Sequence, residues 1–163
     1  MPSNLRLSSS VLLSKAFLRR YALMIGMAVI PFSSLRVQLI RLCGIKIGKG
    51  CYLGFHVRFD TNYPEKISIG DHVTISHNVS IYTHTATPAN SLLGCAYRKI
   101  RPVLVQDGAW LGANSLLLPG AVVAKDCFIG AGAVLAGQTE PRAIYWGNPA
   151  RKIRDLMPDK KTS

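Results

Sequence analysis

The sequence predicts an all-β fold in which short parallel strands wind into a triangular prism of about four coils behind a helical amino terminus. Two observations predict the prism: aliphatic or aromatic side chains recur every sixth residue, and small side chains or valine follow four residues later. The first set consists of Ile47, Leu53, Phe59, Ile69, Ile75, Ile81, Val105, Leu111, Leu117, Val123, Ile129 and Leu135. A helix would repeat its apolar residues at three and four, so this period excludes a helix.

The chain of 163 residues fits one such domain with appendages. Residues 1–43 are predicted to form a basic helical cap, and residues 44–155 the prism, which a loop at 85–102 interrupts. Residues 156–163 form a basic tail. Glycines that directly follow a core residue, such as Gly54 and Gly112, are predicted to supply backbone freedom at turns.

Two helices are predicted within the cap. Residues 8–30 form the first, which Pro31 ends, and the second begins with Ser33 or Ser34 as its N-cap and ends before Gly44. The first helix has two interpretations. It closes one end of the prism, or it lies on a membrane surface with its arginines toward anionic headgroups.

Positive charge is concentrated at the two ends of the chain. The net charge is +12, with nine of the 20 Lys and Arg residues in 1–60 and six in 141–163. This distribution favours anionic partners, and no nucleic-acid-binding motif accompanies it, so we expect no nucleic acid. The longest apolar run, 21–32, is too short to span a bilayer. With four scattered cysteines and no signal peptide, we expect a cytoplasmic protein, with peripheral contact to the inner membrane as an option.

From about residue 44 to 155 the chain resembles the hexapeptide-repeat acyltransferases with a left-handed β-helix, in particular the sugar and polysaccharide O-acetyltransferases such as galactoside and maltose acetyltransferases. The resemblance depends on the repeat, on DGAWLGANSLLLPGAVV at 107–123 and on GNPARKI at 147–153. It implies left-handed coils and a homotrimer with active sites between neighbouring subunits. It also implies acetyl-CoA as acyl donor and a saccharide or lipid-linked saccharide as acceptor.

Acetyl transfer to a hydroxyl needs a general base, and histidine suits that role near neutral pH. Of the histidines, only His84 follows a repeat strand at the point where the period breaks. The resemblance implies that His84 is the catalytic base, because relatives carry theirs at this edge. Sugar acetyltransferases with an IYTATH-like run have it two residues later, where this chain has Ala86. His77 is the rival base, while His56 and His72 are expected to be exposed structural positions.

The resemblance also implies a donor site and an acceptor site. Trp110 resembles a wall of the acyl slot, small residues let the pantetheine arm lie flat, and Arg151 resembles a contact to CoA phosphate. The predicted donor-binding residues are Trp110, Ala113, Ala131, Gly132, Arg151 and Lys125. The predicted acceptor-binding residues are Asp60, Asn62 and Tyr82. Relatives often carry Thr-Lys-Asp where this chain has Ala136, Gly137 and Gln138, and Arg142 is a candidate to replace that contact.

The favoured function is acetyl-CoA-dependent O-acetylation of a sugar hydroxyl in bacterial surface polysaccharide or lipopolysaccharide synthesis, with no metal required. Three alternatives remain open. One is N-acetylation of an aminosugar nucleotide, and another is a scaffold without catalysis. The third is a γ-type carbonic anhydrase, which holds zinc with three histidines. This chain has Tyr82 in the second position of the expected His-x4-His pair, so that zinc site lacks a ligand.

Overall fold

The computed structural model describes residues 15–85 and 99–156. Two helices come first, α1 at Lys15–Val29 and α2 at Ser33–Leu42, and a 3-10 turn spans Pro64–Lys66. The strands are β1 Lys46–Ile47, β2 Tyr52–Leu53, β3 Arg58–Phe59, β4 Ile67–Ile69, β5 Thr74–Ile75, β6 Ser80–Ile81, β7 Val103–Val105, β8 Trp110–Leu111, β9 Leu116–Leu117, β10 Val122–Val123, β11 Phe128–Ile129, β12 Val134–Leu135, β13 Ala143–Trp146 and β14 Arg151–Asp155. The predicted helix start at residue 8, most of the loop at 85–102 and nearly all of the tail lie outside the described residues.

Strands β1 to β12 fall on three sheets in rotation, and β13 and β14 both join the second sheet. The first sheet has the order β1-β4-β7-β10, the second β2-β5-β8-β11-β13-β14 and the third β3-β6-β9-β12. All pairs are parallel except β13 with β14, which form an antiparallel pair. The predicted parallel prism is therefore confirmed. The repeat gave no sign of the antiparallel pair, which begins where the six-residue period ends.

The core is a set of stacked side chains, one from each sheet in each turn of the chain. In every two-residue strand of the prism the second residue is buried, and it stacks on the same position of the strand below; Ile75 and Leu111 are one such pair. Small residues such as Ala109 and Ala133 are fully buried at the corners. Burial of an aliphatic ladder of this kind is the main favourable contribution to folding.

The glycines after the core residues have a different role from the predicted one. Neither Gly54 nor Gly112 has a positive φ. Instead, a Cβ atom on Gly54 would lie 2.6 Å from the backbone nitrogen of His77, and one on Gly112 would lie 2.6 Å from that of Ala131. The left-handed conformation occurs two residues later, for example at Asn114 with φ 60°. These glycines are needed because the next turn of the chain passes too closely for a side chain.

A serine hydroxyl and a buried arginine attach the helices to the prism. Ser33 is not an N-cap as predicted: Phe32 occupies that position without a capping side chain, and the Ser33 hydroxyl accepts a bond of 2.8 Å from the Leu53 N–H. The Arg36 guanidinium, 1% exposed, donates to the Leu53 carbonyl. The predicted end of α2 is confirmed by Gly44, with φ 97°. Within the described ranges, no helix is both long and apolar enough to cross a bilayer.

The close approach at Gly54 generates a stability prediction. We expect Gly54→Ala to lower the free energy of unfolding by roughly 1–3 kcal/mol, because the new methyl group meets main chain that cannot move without breaking the stack. The matched control is Gly137→Ala, since a Cβ there meets nothing within 4 Å. Urea denaturation of both variants measures the difference. Equal stabilities would contradict the close-packing explanation.

Candidate active site

The chain carries additional residues at two points of the prism, each time at the corner that follows the third sheet. Ile47 pairs with Ile69, 22 residues on, and Ile69 pairs with Val105, 36 residues on, whereas Val105 and Val123 are 18 apart. The additional residues lie after Phe59 in the first departure and after Ile81 in the second. Because Phe59 and Ile81 pair in register, the two irregular turns stack on each other. This corner holds the candidate site.

His84 and Asp60 meet at this corner. His84 Nδ1 lies 2.5 Å from Asp60 Oδ2, and the carboxylate is 2% exposed while the imidazole side chain is 20% exposed. Asp60 Oδ2 also accepts bonds from the backbone N–H and the hydroxyl of Thr83, at 3.0 and 2.7 Å. Asp60 Oδ1 accepts from the backbone N–H groups of Asn62 and Tyr63. Both oxygens of the carboxylate therefore accept hydrogen bonds from groups of the same chain.

The hydrogen bonds determine the charge state of Asp60. Burial on its own raises the pKa of this carboxyl, but the bonds from His84, Thr83 and Asn62 outweigh burial and hold the pKa below its ordinary value. Asp60 is thus ionised at neutral pH. An ionised carboxylate only accepts hydrogen bonds, so His84 Nδ1 carries the proton between them.

The second imidazole nitrogen is left with its lone pair. The side-chain amide nitrogen of Asn62 lies 3.1 Å from His84 Nε2 and donates to it, while Asn62 Oδ1 accepts from Arg20 of α1. The ring of Tyr63 packs edge-on against the imidazole, with ring centroids 5.3 Å apart. The imidazole is therefore held in one tautomer and one orientation, as a general base requires.

His84 borders a cavity of about 650 Å³ between α1 and the third sheet. Its lining consists of Leu23, Met24, Met27, His56, Val57, Arg58, Phe59, Asp60, Thr61, Asn62, Asn78, Tyr82 and His84. The three residues predicted to bind acceptor, Asp60, Asn62 and Tyr82, are thus brought together with His84. The buried carboxylate of Asp60 faces the imidazole, and this geometry favours an orienting role for Asp60 over contact with a ligand.

None of the residues predicted to bind the donor lines this cavity. Ala113 and Ala131 follow the paired strands β8 and β11 and lie at the corner after the second sheet, and Gly132 donates to the Ala113 carbonyl at 2.9 Å. Trp110 lies outward on β8, where its indole N–H donates to the Ser76 hydroxyl at 3.1 Å. Phe128 of β11 packs on the Trp110 ring at a centroid distance of 4.8 Å.

The two cationic donor candidates are also remote from His84. Lys125 is exposed at the corner after the first sheet, and Arg151 is exposed at the start of β14. The neighbouring Lys152 pairs with Glu140 at 2.6 Å and with Asp155 at 2.7 Å, which raises its pKa. The positive charge of Lys152 is therefore already paired with carboxylates of its own chain. Arg151 Nη1, in contrast, contacts only the Ala150 carbonyl among the described hydrogen bonds.

The conformations and contacts of the other three histidines indicate structural roles. His56 and His72 adopt positive φ values of 56° and 55° at turn positions. His77 Nδ1 accepts the backbone N–H of Phe55 at 2.9 Å, and its ring stacks on the Phe55 ring. Among residues 15–85 and 99–156, no three His, Cys, Asp or Glu side chains lie close enough together to hold a metal ion.

Sequence reasoning missed three contributions to this site. It did not find Thr83 beneath the Asp60 carboxylate, Tyr63 against the imidazole, or the wall that α1 supplies to the cavity. A signal for the first two was present. Both breaks in the period follow a third-sheet core residue. The segments after Phe59 and after Ile81 must therefore leave the prism at the same corner, one on top of the other.

Comparison with solved structures identifies the fold. A hexapeptide-repeat acetyltransferase from Vibrio cholerae matches with a TM-score of 0.71 at 21% identity, over 89% of this chain and 94% of that chain. A galactoside acetyltransferase in complex with coenzyme A matches with a TM-score of 0.63 at 21% identity, over 87% of this chain and 81% of that one. At these identities the likeness is one of fold, and it implies that the coils are left-handed.

Comparison of sequences identifies the family. The family model described as bacterial transferase hexapeptide (six repeats) matches residues 102–137. The putative acetyltransferase YvoF of Bacillus subtilis is 32% identical over 124 residues, which cover 76% of this chain and 68% of YvoF. The chain belongs to the hexapeptide-repeat family of bacterial transferases.

Other relatives of this hexapeptide-repeat chain are longer than it is. The galactoside O-acetyltransferase of Lactococcus lactis is 32% identical over 118 residues, or 68% of this chain and 54% of that protein. The chain thus spans about half the length of that relative. The Asp60–His84 pair and its cavity lie in residues 20–84, ahead of the segment that the family model matches.

The tautomer of His84 is directly testable. We expect Asp60→Asn to move the imidazole proton away from Nδ1, because the new amide can donate to that nitrogen, and to lower the free energy of unfolding by about 1–3 kcal/mol. Nitrogen-15 NMR of the imidazole measures the tautomer. Asp71→Asn is the control, since Asp71 bonds the Lys49 N–H at a different corner. An unchanged tautomer in Asp60→Asn would show that Asp60 does not orient His84.

Proposed function

We propose that this hexapeptide-repeat transferase is an acetyl-CoA-dependent O-acetyltransferase that acetylates a saccharide hydroxyl. The observation that carries the proposal is the Asp60–His84 pair, a buried ionised carboxylate behind a partly exposed imidazole that borders a cavity. The carboxylate fixes one imidazole nitrogen, and the other, Nε2, borders the cavity with only the Asn62 side-chain amide described as its hydrogen-bond partner. A base that takes a proton from a bound hydroxyl needs such a nitrogen.

The proposed mechanism is direct transfer. The acceptor hydroxyl replaces the Asn62 amide on His84 Nε2, which removes the hydroxyl proton as the oxygen attacks the acetyl carbonyl of the thioester. The tetrahedral intermediate collapses with cleavage of the carbon–sulfur bond, and the imidazolium returns its proton to the departing thiolate. Asp60 stabilises the positive imidazolium in between. No acyl-enzyme forms, and the products are acetylated acceptor and free CoA.

The donor site belongs to the same proposal. Trp110, Ala113, Ala131 and Gly132 lie on the second sheet or at the corner that follows it. Lys125 lies at the corner that precedes this sheet, and Arg151 begins its last strand, β14. Together these residues form a strip along the second sheet, whereas His84 lies at the corner after the third sheet. A homotrimer in which this strip of one subunit faces His84 of its neighbour would complete the site. Two relatives in the structural comparison, from Vibrio cholerae and the galactoside enzyme, are described with acetyl-CoA or CoA bound, which supports acetyl-CoA as the donor.

A saccharide acceptor is supported by the names of relatives. Besides the galactoside enzymes, a putative colanic acid biosynthesis acetyltransferase of Escherichia coli is 25% identical over 139 residues. We therefore propose a role in bacterial surface polysaccharide or lipopolysaccharide synthesis, on the cytoplasmic side of the inner membrane. The polar lining of the cavity, which includes Asn62, Asn78 and Thr61, offers hydrogen-bond partners for sugar hydroxyls.

Replacement of His84 tests the enzyme proposal. We expect His84→Gln to lower turnover about 10²- to 10⁴-fold, the usual contribution of a general base, with unchanged affinity for CoA. The measurement is thiol release from acetyl-CoA with a panel of sugars, nucleotide sugars and lipid-linked saccharides. His77→Gln is the matched control and should retain activity. Loss of turnover in His77→Gln alone would transfer the role of base to His77.

Arg151 tests the donor site separately. We expect Arg151→Ala to raise KM for acetyl-CoA about 10-fold or more, because a charged hydrogen bond to a phosphate is lost. S-acetylpantetheine lacks the nucleotide phosphates, so its KM should not change. Arg154→Ala, on the same strand, is the control for general loss of positive charge. Equal effects on both donors would contradict a phosphate contact.

A further inference from the structure

The cavity beside His84 has two walls of opposite character. On one side α1 contributes Leu23, Met24 and Met27, all apolar. On the other side the prism contributes the buried Val57 and Phe59 and a majority of polar side chains, among them His56, Arg58, Thr61, Asn62, Asn78 and Tyr82. The volume of about 650 Å³ is that of a site for a drug-sized molecule, larger than a single hexose ring needs. A ligand that fills the cavity must itself have a polar and an apolar part.

The apolar wall continues to the molecular surface. Met24 lines the cavity and is also 71% exposed, so the cavity reaches solvent at this side chain. The outward face of α1 around it is largely apolar: Leu18, Tyr21, Met24, Ile25 and Val29 are all exposed. The exposed Arg20, one turn before Met24, donates to Asn62. Exposed apolar surface that runs without a break into a cavity is typical of sites for apolar or membrane-borne ligands.

We propose that the acceptor is a glycolipid, a saccharide joined to an apolar chain. The saccharide lies against the polar wall with one hydroxyl at His84 Nε2, and the chain passes Leu23, Met24 and Met27 toward the outer face of α1. This inference rests on the proposed acetyl transfer for the identity of the reaction. It adds the class of acceptor, and it assigns α1 a role in recognition.

A free saccharide accounts less well for these observations. Methionine and leucine side chains offer no hydrogen bonds, so a wholly polar ligand would lose water on that wall without compensation. A methylene chain gains from the same wall, because every methylene removed from water contributes favourably. The exposed face of α1 favours a lipid in a bilayer over a soluble glycoside with an apolar group, because a bilayer would cover that face while it supplies the acceptor.

The test compares acceptors that differ only in chain length. Methyl, hexyl and octyl β-galactosides and β-glucosides, below their micelle concentrations, are titrated into the full chain by calorimetry and assayed by thiol release. We expect Kd to fall by roughly two- to fourfold per added methylene. Met24→Asn should abolish the difference between octyl and methyl glycosides. Ile25→Asn, the neighbouring exposed residue that does not line the cavity, should retain it.

The outcomes separate this inference from the enzyme proposal. Thiol release without any dependence on chain length would overturn the glycolipid assignment and leave the acetyltransferase intact. Chain-length-dependent binding without thiol release by any acceptor would retain the amphiphilic site and overturn the proposed reaction. If Met24→Asn instead selectively impairs octanoyl-CoA relative to acetyl-CoA as donor, the cavity holds the acyl chain of the donor, and the assignment fails.

A bilayer arm distinguishes the source of the glycolipid. Octadecyl β-galactoside is incorporated into phosphatidylglycerol–phosphatidylcholine vesicles, and turnover is compared with octyl β-galactoside in solution. For a membrane-borne acceptor, Ile25→Asn should lower turnover on vesicles severalfold and leave turnover of the soluble glycoside unchanged. Equal turnover by wild type and Ile25→Asn on vesicles would contradict the membrane source. Self-association of the wild type through this face, lost in Ile25→Asn, would assign the face to a second copy of the chain.

Discussion

The structure depends on the requirement that each turn of the chain stack directly on the turn before it. Strands of two or three residues cannot satisfy their backbone groups alone, and in the prism each pairs with the strands one turn above and below, as β5 pairs with β2 and β8. Neighbouring strands must then lie about 4.8 Å apart. In the two-residue strands this spacing leaves room for one inward side chain and, at Gly54 and Gly112, for none at the corner that follows.

Stacking also determines where the chain can depart from the prism without loss of pairing. An insertion between two strands of a turn is tolerated only at a corner, and two successive turns here carry theirs at the same corner. Asp60 and His84 therefore meet although they are 24 residues apart. The imidazole is oriented by a carboxylate that is itself fixed by backbone donors, so the two stacked turns themselves hold the candidate base in place.

The same logic explains what the sequence could predict. The core positions were predictable because a residue's phase within six decides its burial, whichever turn it occupies. His84 was predictable because it comes where the phase is lost. The role of Asp60 depends on the stacking of two irregular turns, and that of Ser33 depends on a partner 20 residues along the chain, at Leu53. The positions of the two breaks in the period indicate the first of these pairings, but no local sequence pattern indicates the second. The amphipathic pattern of α1 likewise gave no indication of which strand it would cover.

The amino-terminal helices are fixed to the prism by a buried charge. Among the residues that the structure describes, Arg36 has no carboxylate partner. It donates to the carbonyls of Leu53, Ile30 and Pro31 and lies 4.3 Å above the Phe55 ring, and burial lowers its pKa. A buried cation without its acceptors costs several kcal/mol. Separation of the α1–α2 link from β2 would remove acceptors from Arg36 and would incur that cost in free energy. The helix that walls the cavity is therefore part of the folded unit, and its apolar face limits what the cavity admits.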